Sequence, residues 1–233
     1  MTSKPSIEKA QEKDSQPILA AVCLASGAAL VISIFTGASL ALTLALLAAV
    51  AGVSVALKWS GTEAHARPLI KAQMITGIAA GIVGTAAYDL SRLLLVQLGG
   101  LAFSPFETFA LFGHLIIGTS APKTAALAVG SVYHFLNGIA FAVSYCFLLG
   151  GRDWKFGIVW ALGLEVVMVT LYPGWLELDA VMKEFLSVSV LGHLAYGTTL
   201  GLFSQRRLGA KRLSFQSSAT GRGNLPSSTK REK

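Results

Sequence analysis

The sequence predicts an all-α fold: a polytopic transmembrane helical bundle of about six spans, with a short interfacial or re-entrant helix at 106–119. Hydrophobic residues make up 53% of the chain and charged residues only 13%, whereas a soluble domain carries about 25% charged residues. Long runs such as 18–35 and 38–57 contain no charge. A helix needs about 20 apolar residues to cross the hydrocarbon core, and several helices that are apolar on every face would not fit in a soluble core of this size.

The apolar runs divide the chain into parts. Six spans are predicted, at residues 18–35, 38–57, 73–97, 124–149, 155–172 and 186–205. The predicted chain begins with a polar, disordered tail at 1–16 and ends with a basic, disordered tail at 206–233. Between them lie a two-helix transmembrane hairpin at 17–57 and a four-helix transmembrane domain with a polar core at 69–205. The segment 106–119 is apolar but too short to cross a membrane, which makes it the short helix.

The positive charges predict the orientation. Of the 19 Lys and Arg residues, all except Arg92, Lys123 and Lys183 lie on one side of the six predicted crossings. Because cytoplasmic loops are enriched in Lys and Arg, we expect both termini in the cytoplasm. The net charge of +7 therefore reflects topology, and no nucleic-acid partner is expected. The tail at 206–233 would be drawn to anionic lipids of the inner leaflet.

The first two spans contain no ionisable side chain. They consist mainly of Ala, Leu, Val, Gly and Ser. Small residues allow close helix packing in lipid, so this hairpin could pack on the rest of the chain, on a second copy, or on another subunit of a membrane complex.

The last four spans carry the ionisable side chains, which cost several kcal/mol in a bilayer and normally face the protein interior. The predicted intramembrane polar cluster comprises Asp89, Arg92, His134, Asn137, Glu165 and His193. His114, in the external link before span four, would cap this cluster from outside.

Glycines accompany the polar residues at four-residue spacing, which places them on the same helix face. In lipid, such glycines let helices approach closely. The glycines predicted to make helix contacts are Gly77, Gly81, Gly138, Gly157, Gly197 and Gly201. The histidines that share their faces would then be buried in the bundle.

Several sequence blocks between residues 76 and 205 resemble a known family. The blocks are GIVGTAAYDLSRLL, YHFLNGIAFAVSY, WALGLEVVMVTLYPGW and GHLAYGTTLGLF. They are similar to those of an uncharacterised family of small bacterial multi-pass integral membrane proteins, a domain of unknown function with HFxxGxxxxxxY and GHxxYGxxLG motifs. The resemblance implies a topology of roughly four spans and a bacterial inner membrane, and it implies no activity.

Three functions fit these observations. The preferred one is a structural or accessory membrane component, in which Asp89 and Arg92 neutralise each other at i, i+3 and Glu165 is either protonated or paired with Arg92. The second is a transporter or channel for a proton, ion or small solute, since acids and histidines form proton relays in membranes, although no span is interrupted by a proline.

The third function is a b-type haem or metal protein, with His134 and His193 as ligands. No cofactor is the expected outcome, because no HExxH or ExxH spacing supports a metal site. An enzyme is not favoured either, since the chain has no Walker A loop, dinucleotide fingerprint or GxSxG motif.

Overall fold

The described part of the molecule is entirely α-helical, which confirms the predicted fold class. The computed structural model describes residues 16–101, 104–176 and 182–221, and these contain no strand. The helices are α1 Gln16–Cys23, α2 Ala25–Thr36, α3 Leu40–Ser60, α4 Arg67–Gly99, α5 Glu107–Ile117, α6 Lys123–Leu148, α7 Lys155–Leu176 and α8 Met182–Gly221. The predicted tail at 1–16 lies outside the described residues except for Gln16.

Among the described residues, fewer than six helices are long and apolar enough to cross a membrane. By length and composition, four helices of the described residues qualify: α3, α4, α6 and α8 up to Ala210. The bent pair of α1 and α2 would make a fifth. The predicted span at 155–172 corresponds to α7, which is helical but is not among these five. The short helix predicted at 106–119 is α5, an apolar helix of 11 residues.

The predicted first span is not one straight helix. It is broken at Leu24, where α1 and α2 meet at a bend of 49°. Neither glycine nor proline stands at the break. The Leu24 N–H donates to the Ala21 carbonyl at 3.1 Å, an i to i−3 bond that ends α1. Just beyond it, the Tyr133 hydroxyl of α6 donates to the Ser26 carbonyl at 3.0 Å, so the bend coincides with a tertiary contact.

Helix α8 continues beyond the predicted end of the last span at 205. It runs to Gly221, so the first part of the tail predicted at 206–233 is helical, and 222–233 lies outside the described residues. Leu208 gives the reason, since it is only 2% exposed and packs in the core cluster with Cys146. Burying an apolar side chain there favours another helical turn.

Helices α4 and α6 pack along the predicted small-residue face. A Cβ atom on Gly81 would lie 2.6 Å from the Ile139 backbone, and one on Gly77 would clash in the same way with Val143. One turn further, Thr85 lies against Gly138. The two helices are therefore antiparallel, and positions further along α4 contact positions earlier along α6. This stripe of small residues on α4, Gly77, Gly81 and Thr85, leads to the contact between Asp89 and His134.

Helices α7 and α8 approach even more closely. Gly157 lies against the backbone of Gly197 and Gly201, and Gly201 in turn lies against the Trp154 backbone. Glycine permits this contact because it has no Cβ atom. The close approach places Glu165, two turns along α7, beside the middle of α8.

Candidate functional site: a buried polar cluster and its cavity

Asp89 of α4 joins two of the predicted site residues. Its Oδ1 lies 3.3 Å from Arg92 Nη1, and its Oδ2 lies 3.1 Å from His134 Nε2 on α6. The side chains of Asp89 and His134 are 16% and 18% exposed, and that of Arg92 is 8% exposed. One carboxylate therefore holds a guanidinium on its own helix and an imidazole on the neighbouring helix.

Residues of α5 and the segment before it cover this pair. Arg92 Nη2 donates to the Pro105 carbonyl at 3.2 Å, and the guanidinium lies over the Phe106 ring at 5.8 Å. The Phe109 ring stacks on the His134 imidazole with centroids 4.5 Å apart. His114, the residue predicted to cap the cluster, lies elsewhere: its Nδ1 is 3.1 Å from the Gly118 carbonyl at the end of α5.

A second carboxylate–histidine pair joins α7 to α8. Glu165 Oε2 lies 2.6 Å from His193 Nδ1 and accepts a hydrogen bond from the Ser189 hydroxyl at 2.6 Å. The Glu165 side chain is 5% exposed and that of His193 is 11% exposed. One of the two sequence hypotheses for Glu165 pairs it with Arg92. The structure gives Glu165 to His193 instead, because the glycine contacts press α7 against α8 and not against the Arg92 face of α4.

Tyr88 connects the two pairs. Its ring centroid lies 5.8 Å from that of His134 and 5.0 Å from that of His193, in an edge-to-face arrangement. The Arg92 guanidinium lies over the same ring at 4.7 Å. The two imidazoles thus flank one phenol ring, which belongs to the helix that carries Asp89 and Arg92.

Asn137 forms a third polar contact, between α6 and the first hairpin. Its Oδ1 accepts from the Ser26 hydroxyl at 2.6 Å, and its Nδ2 lies 3.5 Å from the Tyr133 hydroxyl. The hairpin at 17–57, which has no Asp, Glu, His, Lys or Arg, therefore contributes to the polar core through Ser26.

These groups surround one cavity of about 320 Å³. His134, Asn137, Arg92 and His193 line it, whereas Asp89 and Glu165 stand behind the histidines. The rest of the wall is mainly apolar or aromatic. Its aromatic members are Tyr88, Phe109, Phe112, Tyr133, Phe141, Phe185 and Tyr196.

Two lining residues keep polar atoms without a hydrogen-bond partner among the described residues. They are Arg92, through Nε, and Thr85, through Oγ1. Arg92 is 7% exposed and Thr85 is 2% exposed. Buried polar atoms normally have partners, and each exception calls for an explanation.

The histidines also keep one ring nitrogen each for the cavity. Among the described residues, His134 bonds through Nε2 to Asp89, and His193 Nδ1 lies 3.1 Å from the Ser189 carbonyl oxygen as well as 2.6 Å from Glu165 Oε2. In this part of the chain, His134 Nδ1 and His193 Nε2 are left unbonded. A carboxylate at one nitrogen fixes the imidazole tautomer and orientation. The arrangement can donate or accept a proton at the second nitrogen.

The ligand set for haem or metal is less well formed. Tyr88 stands between the imidazoles of His134 and His193, where a macrocycle ligated by both would have to lie. In the described residues, no group of three or more His, Cys, Asp and Glu side chains is placed to hold a metal ion.

Sequence reasoning missed several residues of the site. Tyr88, Phe109 and Ser189 are ordinary apolar or small polar residues in a helix, and only their positions could have identified them. Tyr88 precedes Asp89, and Ser189 lies one turn before His193. The glycines predicted to make helix contacts all have neighbours that a Cβ atom would crowd.

The comparisons with known proteins give a family without an assigned activity. The model of a family of unknown function, DUF6789, matches residues 71–214, which covers most of α4 and α8, all of α5 to α7, and every charged residue of the cluster. Nothing matches the chain among curated proteins or among solved structures. The match agrees with the resemblance to an uncharacterised family over nearly the same residues. The chain belongs to the family of unknown function DUF6789.

Proposed function

We propose that this protein is an accessory membrane component that binds a small, largely apolar molecule inside its helical bundle. The observation that carries the proposal is the cavity of about 320 Å³, which has an apolar and aromatic wall and a few buried polar atoms at one side. Ligand sites typically have volumes of about 300–1,000 Å³ and combine an apolar lining with a few convergent polar groups. Polar groups that served packing alone would be expected to pair fully with each other.

The position of the cavity supports entry from the lipid. Ala28 of α2 and Val167 of α7 both line it, and both are exposed at the surface, Val167 by 53%. On a membrane-spanning bundle, an exposed apolar surface faces lipid tails. A mouth between α2 and α7 would admit molecules that are dissolved in the bilayer.

The test uses three ten-carbon probes with different head groups: decylubiquinone, decanoate and decylamine. We expect at least one of them to raise the melting temperature of the protein in lipid nanodiscs, since a ligand at about 100 times its Kd stabilises the folded state by ~2.7 kcal/mol. Val167→Trp, at the mouth, should abolish this shift.

Val166→Trp is the matched control, because Val166 is 65% exposed and does not line the cavity. It should keep the full shift. If no probe raised the melting temperature, or if both tryptophan variants behaved alike, the proposal would be wrong.

A proton-linked transporter is the second candidate. Its support is that two carboxylate–histidine pairs stand at one cavity, each with an imidazole nitrogen left for a proton. Proton flux into proteoliposomes distinguishes transport from binding. A transporter would lose this flux in Glu165→Gln, whereas a binding protein would show none in either form.

The haem hypothesis is the third candidate, and the filled space between His134 and His193 weighs against it. It is settled by the absorption spectrum of the purified protein. A Soret band that disappears in the His134→Ala, His193→Ala double variant would establish haem and overturn the ligand proposed above.

For the location, we propose a bacterial inner membrane with both termini in the cytoplasm, supported by the distribution of Lys and Arg. This proposal counts α7 as a sixth crossing beside the five described above, and it places Lys123, at the start of α6, outside. In Lys123→Cys, a membrane-impermeant thiol reagent should label intact cells. Labelling of that position only after the membrane is opened would contradict the topology.

A further inference from the structure

We infer that the molecule bound in the cavity is a neutral lipid with an oxygen-bearing ring as its head group, of the chemical class of quinones and quinols. This inference rests on the proposed function and narrows it. It follows from the hydrogen-bonding atoms that the cavity presents, from the charges behind its wall, and from its aromatic lining.

The unpaired atoms define the polar end of the ligand. Arg92 Nε has an N–H to donate and Thr85 Oγ1 can donate or accept, and both are buried without a partner among the described residues. His134 and His193 each add a ring nitrogen that is a donor or an acceptor according to its proton. A quinone has carbonyl oxygens that accept hydrogen bonds, and the corresponding quinol has hydroxyl groups that donate them. Such a ligand can pair with all of these atoms.

The charges favour a neutral head group. The cluster contains two carboxylates, Asp89 and Glu165, and one guanidinium, Arg92, so one proton on either imidazole makes it neutral. His193 Nδ1 lies 2.6 Å from Glu165 Oε2, so a proton on this imidazole would offset the carboxylate at short range. With that proton in place, an anionic head would add a third negative charge, and a cationic head would add a third positive charge. Either charge would be uncompensated in an apolar site, which is costly.

The shape of the wall favours a ring. Tyr88, Phe109 and Phe141 line the cavity from three different helices, and aromatic faces pack well on other flat rings. The volume of about 320 Å³ is at the lower end of the range for ligand sites and would hold such a ring. The apolar tail would leave through the mouth between α2 and α7 into the lipid.

The test measures the Kd of decylubiquinone from the ligand-dependent melting temperature in nanodiscs, with decanoate and decylamine as competing head groups. We expect decylubiquinone to bind most tightly. We also expect Thr85→Val to raise its Kd about threefold to tenfold, the effect of one lost hydrogen bond. The melting temperature of the ligand-free Thr85→Val protein should not fall, since the hydroxyl that it removes has no partner.

Thr76→Val is the control, because Thr76 is a buried threonine of the same helix outside the cavity lining. It should leave the Kd unchanged. An unchanged Kd in Thr85→Val, equal losses in both variants, or tighter binding of decanoate or decylamine would overturn the inference. Tighter binding of decanoate or decylamine would leave the proposed function standing. Failure of all three probes to bind would overturn the proposed function and this inference together.

Discussion

Replacing Arg92 with leucine should destabilise the solubilised protein by about 3–5 kcal/mol, the usual effect of breaking a buried ion pair. Arg92 is 7% exposed, and it holds Asp89 and the Pro105 carbonyl at once. Without it, the Asp89 carboxylate would keep only His134 as a partner. The free energy of unfolding, measured in mixed micelles, reports the loss.

The double variant Arg92→Leu, Asp89→Asn separates charge from packing. Asparagine keeps an oxygen that can accept from His134, and no buried charge is left unpaired, so much of the lost stability should return. Arg152→Leu serves as the control, since Arg152 is exposed and lies over the Phe156 ring, and it should change stability little. If Arg92→Leu melted like the unaltered protein, the guanidinium would be in water and the cluster would not be buried.

Replacing Gly157 with leucine should destabilise the protein by about 3 kcal/mol or more, because a side chain there must separate two packed helix backbones. A Cβ atom at this position would lie 2.7 Å from the Gly201 backbone and closer still to the Gly197 carbonyl. Backbone atoms cannot move aside as a flexible side chain can. Thermal unfolding of the variant in detergent measures the effect.

Gly163→Leu is the matched control, since it lies on the same helix and a Cβ atom there meets nothing within 4 Å. Leucine forms helices better than glycine by about 0.8 kcal/mol, so this variant should be as stable as the unaltered protein or slightly more so. Equal melting temperatures for the two leucine variants would contradict the close α7–α8 contact.

Periodicity within one helix was enough to predict part of the site. The i, i+3 spacing of Asp89 and Arg92 predicts an ion pair, and the structure contains it. The glycine faces of α4 and α7 follow from four-residue spacing in the same way. These features depend only on the residue spacing within a single helix, and that spacing can be read from the sequence.

Features that depend on two helices could not be predicted. Depth along a span indicated that Glu165, Arg92 and His193 lie at a similar level, but it did not indicate which helix faces which. The hypothesis that Glu165 pairs with Arg92 is therefore wrong, because Glu165 lies beside His193 and Ser189. No glycine or proline marks the break at Leu24, which coincides with the contact of Tyr133 to Ser26 on another helix. The cavity arises from side chains of α2 and α4 to α8 together.

The stripe of small residues between α4 and α6 has a consequence for axial register. Gly77, Gly81 and Thr85 repeat at every turn, so sliding one helix past the other by one turn, about 5.4 Å, would present a similarly smooth surface. Such a face favours contact without defining its offset. The Asp89–His134 bond at the end of the stripe exists at one offset alone, as a single buried polar pair fixes the register of a coiled coil. The charged pairs thus select a single alignment among several that the glycines would accept.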